Sequence, residues 1–362
     1  MRPASEGELS EMIRGAAGPL ALCGGGTRRI GPLRGEVLDT GGLTGVDLYE
    51  PGALTLVVRA GTPLATVEAL LAAERQRLSF EVPDLRGLLG RAGASTIGGV
   101  VAANASGPRR VQAGACRDSL LGVRLVDGSG AVLKNGGRVM KNVTGYDLVK
   151  LMAGSRGRLG VLTGVSLKVQ AIPEAEVTLV AKMPRDQGLA ALRAALATPF
   201  DVSGAACGPQ AMLRIEGMAG SVGYRAAALQ ARLGGDWYQV AGAESAALWA
   251  AVRDVSAFSG RDGAVWRLVV KPTEAARVAA TLGDEAIFDW GGGLIWLLTE
   301  GGRGAAIRAA VGPHGHATLV RPAAGDEDTA PFPPEPPAVA RLTEGLYARF
   351  DPRGLFKPEG RA

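Results

Sequence analysis

The residues best placed to do chemistry begin at Leu22-Cys23-Gly24-Gly25-Gly26-Thr27-Arg28-Arg29, where three glycines, a hydroxyl and two arginines follow an apolar run. A loop without side chains turns sharply and can aim several backbone N–H groups at one point, the geometry of an anion nest. A phosphate is the natural guest, and a nucleotide cofactor held by its diphosphate is the chemistry this loop offers. A tight turn after a strand is the plain alternative, and the loop alone does not exclude it. The run from Ala92 to Gly107 is built almost entirely of small residues, with Ser95, Thr96, Asn104 and Ser106 as polar groups. Such a run lets backbone pack against a flat ring or against another backbone.

Other nucleotide motifs do not fit. The loop reads G-G-G-T-R-R and lacks the last glycine of G-x-G-x-x-G, and no G-K-[ST] is present. Three widely spaced cysteines, Cys23, Cys116 and Cys207, with no C-x-x-C, argue against a disulfide framework or an iron–sulfur cluster in this chain. The two histidines, His314 and His316, share a strand face but have no third ligand nearby, so no metal site is expected.

The elements that carry these residues alternate. An apolar strand, Pro19 to Cys23, enters the first loop. Leu54 to Ala60 is a second strand, followed by a helix from Thr62-Pro63 to about Arg75, with Thr62 as its cap. Strand, helix and strand in short order point to an α/β or α+β layer. From Glu174 the texture changes to a repeated β-α-β-β-α-β order, the mark of an antiparallel sheet with helices on one face, ferredoxin-like in style. Ala323 to Pro337 is a Pro- and acid-rich linker, and Ala338 to Phe350 a last helix.

Composition sets the outer bounds. At 362 residues two domains are expected, and 47% hydrophobic with 21% charged residues describes a soluble globular chain. The net charge of +5 is scattered and aromatics are 5%, which excludes the dense basic stripe of a nucleic-acid binder. No signal core and no 18-residue apolar run is present, so a cytoplasmic protein is expected, attached to a membrane only through partners.

Four blocks in order make the reading specific. Gly24 to Thr27, Thr96 to Gly107, Gly122 before a strand, and Gly145-Tyr146-Asp147 through Gly160-Val161-Leu162-Thr163 resemble the FAD-binding domain of the vanillyl-alcohol-oxidase, or PCMH, type. Arg138-Val139-Met140-Lys141-Asn142-Val143, Leu151 to Gly154, His316 to Leu319 and Asp351 to Phe356 resemble a family of FAD-binding subunits of bacterial glycolate oxidase, so the likeness spans nearly the whole chain. The fold it implies is α+β: an FAD-binding domain of two α+β subdomains at 1–173, a ferredoxin-like cap at 174–335, and a segment at 336–362 returning to the FAD domain.

The same resemblance implies site residues. Gly24, Gly25, Gly26 and Thr27 would face Thr96, Ile97, Gly98 and Gly99 across the FAD diphosphate. Asn104 and Ser106 would lie near the flavin, and Gly160, Val161 and Leu162 at the adenine. The loop holds no histidine, so FAD is expected to be non-covalent. Lys141 and Asp147 lie in a flavin-family block, where a structural ion pair is the plainer role. At the tail, Lys357 and Glu359 depart from the family pattern.

Oxidation of a 2-hydroxy acid needs a cation for the carboxylate, a base for the hydroxyl proton and a flavin to take the hydride. Arg267 and Arg321 are the candidate clamps and His316 the candidate base. The resemblance implies a complex with a second FAD-binding subunit and an iron–sulfur subunit that oxidises glycolate to glyoxylate. A stand-alone dehydrogenase for a 2-hydroxy acid such as D-lactate, and a non-catalytic assembly subunit, are the other readings.

Overall fold

The computed structural model describes residues 1–32, 34–139 and 145–356. Lys141, and the departures at Lys357 and Glu359, lie outside the described residues.

The chain opens on the helix Glu6–Gly15, whose first turn is capped by the Ser5 side chain accepting from Glu8 N, and which buries Leu9 and Ile13. The strand Leu20–Cys23 then pairs in parallel with Glu36–Asp39. The glycine loop therefore springs from the end of a short parallel pair. Next comes an antiparallel sheet ordered Val46–Glu50, Thr55–Arg59, Val161–Ala171, Leu120–Val126 and Val132–Gly136, with Gln76–Leu78 also pairing to Val161–Ala171. The strand Val161–Ala171 is its spine, and its apolar residues run into one core with Leu56, Val58 and the helix side chains Val67 and Leu71.

The helix after Thr55–Arg59 runs Leu64–Ala73, with Pro63 at the cap position. Thr62 does not cap it. Its hydroxyl is taken by Gly45, donating to Gly45 O at 3.1 Å and accepting from Gly45 N at 3.0 Å.

The second half is one eight-stranded antiparallel sheet. Its order is Tyr238–Ala241, Ala175–Ala181, Ala211–Gly217, Val202–Cys207, Glu285–Asp289, Leu294–Thr299, Ala264–Val269, His316–Arg321. Numbered within each repeat, this is 4-1-3-2 followed by 2-3-1-4. Two β-α-β-β-α-β units thus meet edge to edge through their second strands, at Cys207 and Phe288. The helices Arg185–Leu196, Ala219–Leu233, Ala275–Leu282 and Gly304–Val311 all contribute to a single core against one face. The joining strand Val202–Cys207 carries little β-propensity, and tertiary packing decides it. Gly204 there lies under the Trp249 ring, where a Cβ would come within 2.8 Å.

The two sheets are tied by a buried ionic network. Arg109 Nε and Nη2 donate to Glu216 at 3.0 and 2.9 Å, Arg77 donates to the same carboxylate at 2.8 Å, and Arg214 donates to Glu81 at 2.8 and 3.1 Å. Arg109, Arg214 and Glu216 are each at most 5% exposed. The last helix, Pro337–Phe350, lays Leu346, Tyr347 and Phe350 on the core of the first sheet, and Leu355 and Phe356 complete the cluster beside the opening helix.

Candidate cofactor and active site

A cavity of about 340 Å³ opens where the glycine loop, the helix Ile97–Ala103, the turn Arg156–Gly160 and the segment Ala330–Phe332 meet. Gly24, Gly25, Gly26 and Thr27 line it, as do Thr96, Gly98, Gly99, Gly160, Val161 and Leu162. The structure thus brings together the first-loop, second-block and strand-entry residues singled out from sequence, with three exceptions.

Ile97 turns into the core, fully buried. Asn104 and Ser106 spend their polar groups inside the protein. Asn104, at φ 47, accepts from Arg117 N at 2.9 Å. Ser106 donates to Asn104 O at 3.1 Å and accepts from Cys116 N at 3.0 Å. These two residues shape the turn after the helix, while Ala102 and Ala103 face the cavity in their place.

The two sides of the expected cradle also play different parts. The donors of the second side are already taken: Ile97 N by Thr62 O at 3.0 Å, Gly98 N by Ala60 O at 2.7 Å, and Gly99 N by the Thr96 hydroxyl at 3.3 Å. On the first side, the N–H groups of Gly24, Gly25, Gly26 and Thr27 donate to no protein acceptor among the described residues. They are the open donors, half-buried at Gly24, Gly25 and Gly26 and buried at Thr27, where an amide without a protein partner calls for a ligand or water. Close packing explains the glycines. A Cβ on Gly24 would stand 2.5 Å from Thr96 Oγ1, and one on Gly25 1.6 Å from Ala94 O. The small-residue block packs against the loop, and the loop lines the cavity.

Charge points the same way. Among the described residues, every charged side chain on the cavity wall is an arginine: Arg28, Arg29, Arg34, Arg156 and Arg158. Arg28 is anchored to Pro83 O at 2.7 Å and to Ser95, with burial pulling its guanidinium down to about 10. Arg29 follows directly and leaves its Nε buried without a partner. Free amides plus an unpartnered guanidinium and no acid fit a diphosphate. Small residues at Gly98, Gly99, Ala102 and Ala103 give a flat wall for a ring system. Phe332 covers the cavity from the side, with Arg156 and Arg158 over its ring at 4.8 and 5.4 Å. The sequence signal for Arg29 was its place just after the glycines. Arg156 lies within the fourth block without being singled out there, and Phe332 carried no signal, because it reaches the cavity from a distant segment.

The FAD binding domain family matches residues 1–136. Over 90% of its length the chain is 36% identical to the glycolate oxidase subunit GlcE of Escherichia coli (strain K12), covering 87% of that protein. The chain belongs to the GlcE family of FAD-binding subunits. A shorter match, 36% identical over 35% of this chain and 26% of the relative, joins it to glycolate oxidase subunit GlcD of Bacillus subtilis (strain 168). Among solved structures, an alkyldihydroxyacetonephosphate synthase aligns at a TM-score of 0.71 over 99% of this chain and 75% of its own, at 14% identity. That likeness establishes the fold alone, and the family match adds the FAD-binding domain to this α+β architecture. FAD is the cofactor of this family, and the cavity is built for one.

The three catalytic candidates stand in different surroundings. Arg321 donates from Nε and Nη1 to the carbonyls of Gly263, Leu88 and Phe258 at 3.0 to 3.1 Å, which pins backbone, and its Nη2 is buried without a partner. His316 begins its strand exposed to solvent and lies off the cavity wall. Arg267 stands on the inner face of the cap sheet with its Cζ 5.2 Å from the Trp290 ring centroid. Burial, with the charges of Arg110 and Arg156, pulls its guanidinium down to about 10. Among the described residues, no cluster of three His, Cys, Asp or Glu could hold a metal, and no helix is long and apolar enough to cross a membrane. Asp147 caps the short helix Leu148–Met152 by accepting from Lys150 N at 3.0 Å.

Proposed function

We propose that this chain is the FAD-binding subunit of a glycolate oxidase complex, oxidising glycolate to glyoxylate and passing the electrons on through flavin. The observation that carries the reading is the row of free amides from Gly24 to Thr27 beside a cavity whose charged wall is all arginine. FAD, when bound, supplies a two-electron acceptor that amino-acid side chains lack. In this reading the amides of the first loop and Arg29 hold the diphosphate. Gly98, Gly99, Ala102 and Ala103 form the wall under the rings, and Gly160, Val161 and Leu162 take the adenine. Arg267 holds the carboxylate.

Residues 1–173 are then the FAD domain, 174–335 the cap and 336–362 the returning segment. The partners are a second FAD-binding subunit of the GlcD kind and an iron–sulfur subunit, with the assembly at the membrane periphery. FAD is non-covalent, since Cys23 and no histidine stands at the loop and burial pushes that thiol up.

Purification with co-purifying partners, followed by anaerobic addition of glycolate, tests this. A flavin spectrum in this chain, released by heat or acid without a covalent residue, and bleaching by glycolate in the assembled complex are expected. A colourless chain in a complex that turns over glycolate would leave an assembly subunit. Bleaching by D-lactate but not glycolate, with this chain alone, would make it a stand-alone dehydrogenase.

A further inference from the structure

The stretch before the closing helix reads Ala330-Pro331-Phe332-Pro333-Pro334. Its prolines fix the backbone on both sides of one aromatic residue and bring no N–H of their own. Such a segment is held mainly through its carbonyls, and three in succession are taken. Arg308 Nη2 donates to Ala330 O, and to Phe332 O at 3.3 Å, while Leu319 N donates to Pro331 O at 2.8 Å. Arg308 lies on the helix Gly304–Val311 and Leu319 on the edge strand His316–Arg321. The second half of the chain therefore sets where this segment runs.

The side chains of the segment meet the first half instead. Pro331 abuts the loop after the glycine run, where a Cβ on Gly31 would stand 3.9 Å from Pro331 Cγ. Phe332 reaches a different wall, with Arg156 and Arg158 Cζ over its ring at 4.8 and 5.4 Å. That wall is joined to the small-residue helix Ile97–Ala103 by Arg156 N donating to Ala102 O at 2.9 Å. Ala330, Pro331 and Phe332 all line the cavity, so the segment crosses it from the Gly31 side to the Arg156 side.

Folding alone gives no reason for the aromatic ring. Phe332 is half-buried, and among the described residues it belongs to none of the hydrophobic clusters. A ring pinned by its own backbone on a cavity wall, outside every core, keeps apolar surface available to a ligand with flat rings.

We propose that Phe332 is a binding residue for FAD, carried on a strap that the second half of the chain lays across the cavity, and that Arg308 is the positioning residue that holds the strap in place. The cofactor site then takes a wall from each half, and the matched FAD-binding domain at residues 1–136 does not complete it alone. The proposal rests on the FAD-subunit reading.

The test is the rate at which the full chain, purified with its flavin, releases FAD on dilution, followed by flavin fluorescence. Uptake is timed on the same chain after flavin removal. Phe332→Ala should release FAD about tenfold faster and take it up no more slowly. Arg308→Met should do the same, although Arg308 is not part of the cavity wall. Phe332→Trp and Arg308→Lys should each recover part of the parent's retention, and the exposed Arg232→Met should match the parent. Far-UV circular dichroism establishes that each variant is folded. The unfolding midpoint of the flavin-free chain should be unchanged in Phe332→Ala, a reading that a purely structural role would move. Release at the parent rate in Phe332→Ala overturns the proposal and leaves the FAD reading standing. Slower uptake with unchanged release overturns it too, because the segment would then only shape the empty cavity. Faster release in Phe332→Ala with parent release in Arg308→Met overturns the role given to Arg308. A parent chain that neither carries nor takes up FAD overturns the FAD reading and the strap's ligand with it.

Discussion

Arg109 and Glu216 face each other as a two-pronged ion pair, Nε to Oε2 at 3.0 Å and Nη2 to Oε1 at 2.9 Å, between the two halves of the molecule. Arg109 precedes the helix Arg110–Ala113 and Glu216 lies on the strand Ala211–Gly217. The pair therefore fixes the cap sheet against the segment that also carries Arg110. Burial pushes the Glu216 carboxyl up, but Arg109, Arg214 and Arg77 outweigh it and hold it far below the usual carboxylate range. Removing one partner leaves the others charged and dry. Glu216→Gln is expected to cost about 3–5 kcal/mol in urea unfolding, with the cap's transition separating from that of the first half.

The same network sets an acid limit. Burial raises Glu81 as well, and Arg214 with Arg109 more than reverses it. Because both carboxyls are depressed in the folded state, the stability they contribute is complete above their ordinary value of about 4.5. It is lost as pH falls through the lower folded values. Unfolding free energy should therefore decline steeply below that pH, and Glu216→Gln should flatten the decline. An unchanged slope in the variant would mean that other carboxyls control acid unfolding.

Asp289 behaves in the opposite sense. Burial, reinforced by Glu81, pushes its carboxyl up to about 7 against the pull of the Trp290 amide, Arg214 and Arg267. The folded protein then holds a proton that the unfolded chain releases above its ordinary value of 3.8, so this residue lowers stability as pH rises toward 7. Asp289→Asn keeps an acceptor for Trp290 N and removes the charge. It should raise the unfolding midpoint at pH 8 and leave it nearly unchanged at pH 4.

Gly25 allows the loop to meet the small-residue block, and its missing side chain is essential there. With a Cβ only 1.6 Å from Ala94 O, Gly25→Ala must push the loop away from the block. The expected outcome is loss of nearly all flavin absorbance per chain, with circular dichroism preserved. Arg29→Ala, which removes a guanidinium with an unpartnered Nε, should weaken FAD retention about tenfold.

Asn104 separates a flavin contact from a structural turn. Its left-handed backbone and its bond from Arg117 N both serve the turn. Asn104→Ala is expected to destabilise the protein by about 1–2 kcal/mol while flavin content at saturating FAD stays at the parent level. A selective loss of flavin in a variant of full stability would put the side chain at the cofactor.

Much of the molecule was legible in one dimension. An apolar run marks Leu294–Thr299, which is buried along its whole length. The repeated β-α-β-β-α-β order gave the cap sheet its style, and four glycine-rich blocks located the cofactor loop. These signals survive because period, propensity and close-packed glycine are local properties. Val202–Cys207 and the helix Gly242–Arg253 left weaker traces. The first is a run of small residues that becomes a strand only because two units close on it.

The sequence by itself determined that a glycine loop with flanking arginines would sit at the end of a strand, and that the second half would be a duplicated antiparallel layer. Only the tertiary structure decided which polar groups remain free. It spent Asn104, Ser106 and the amides of Ile97 to Gly99 on the protein's own turns, and Arg321 on three carbonyls. It left the amides of Gly24 to Thr27 and the Nε of Arg29 without protein partners. The physical reason is that a donor's function depends on which acceptors stand within about 3 Å of it. Those neighbours come from other segments of the chain, from the next turn for Gly99 to as far off as Leu88 for Arg321.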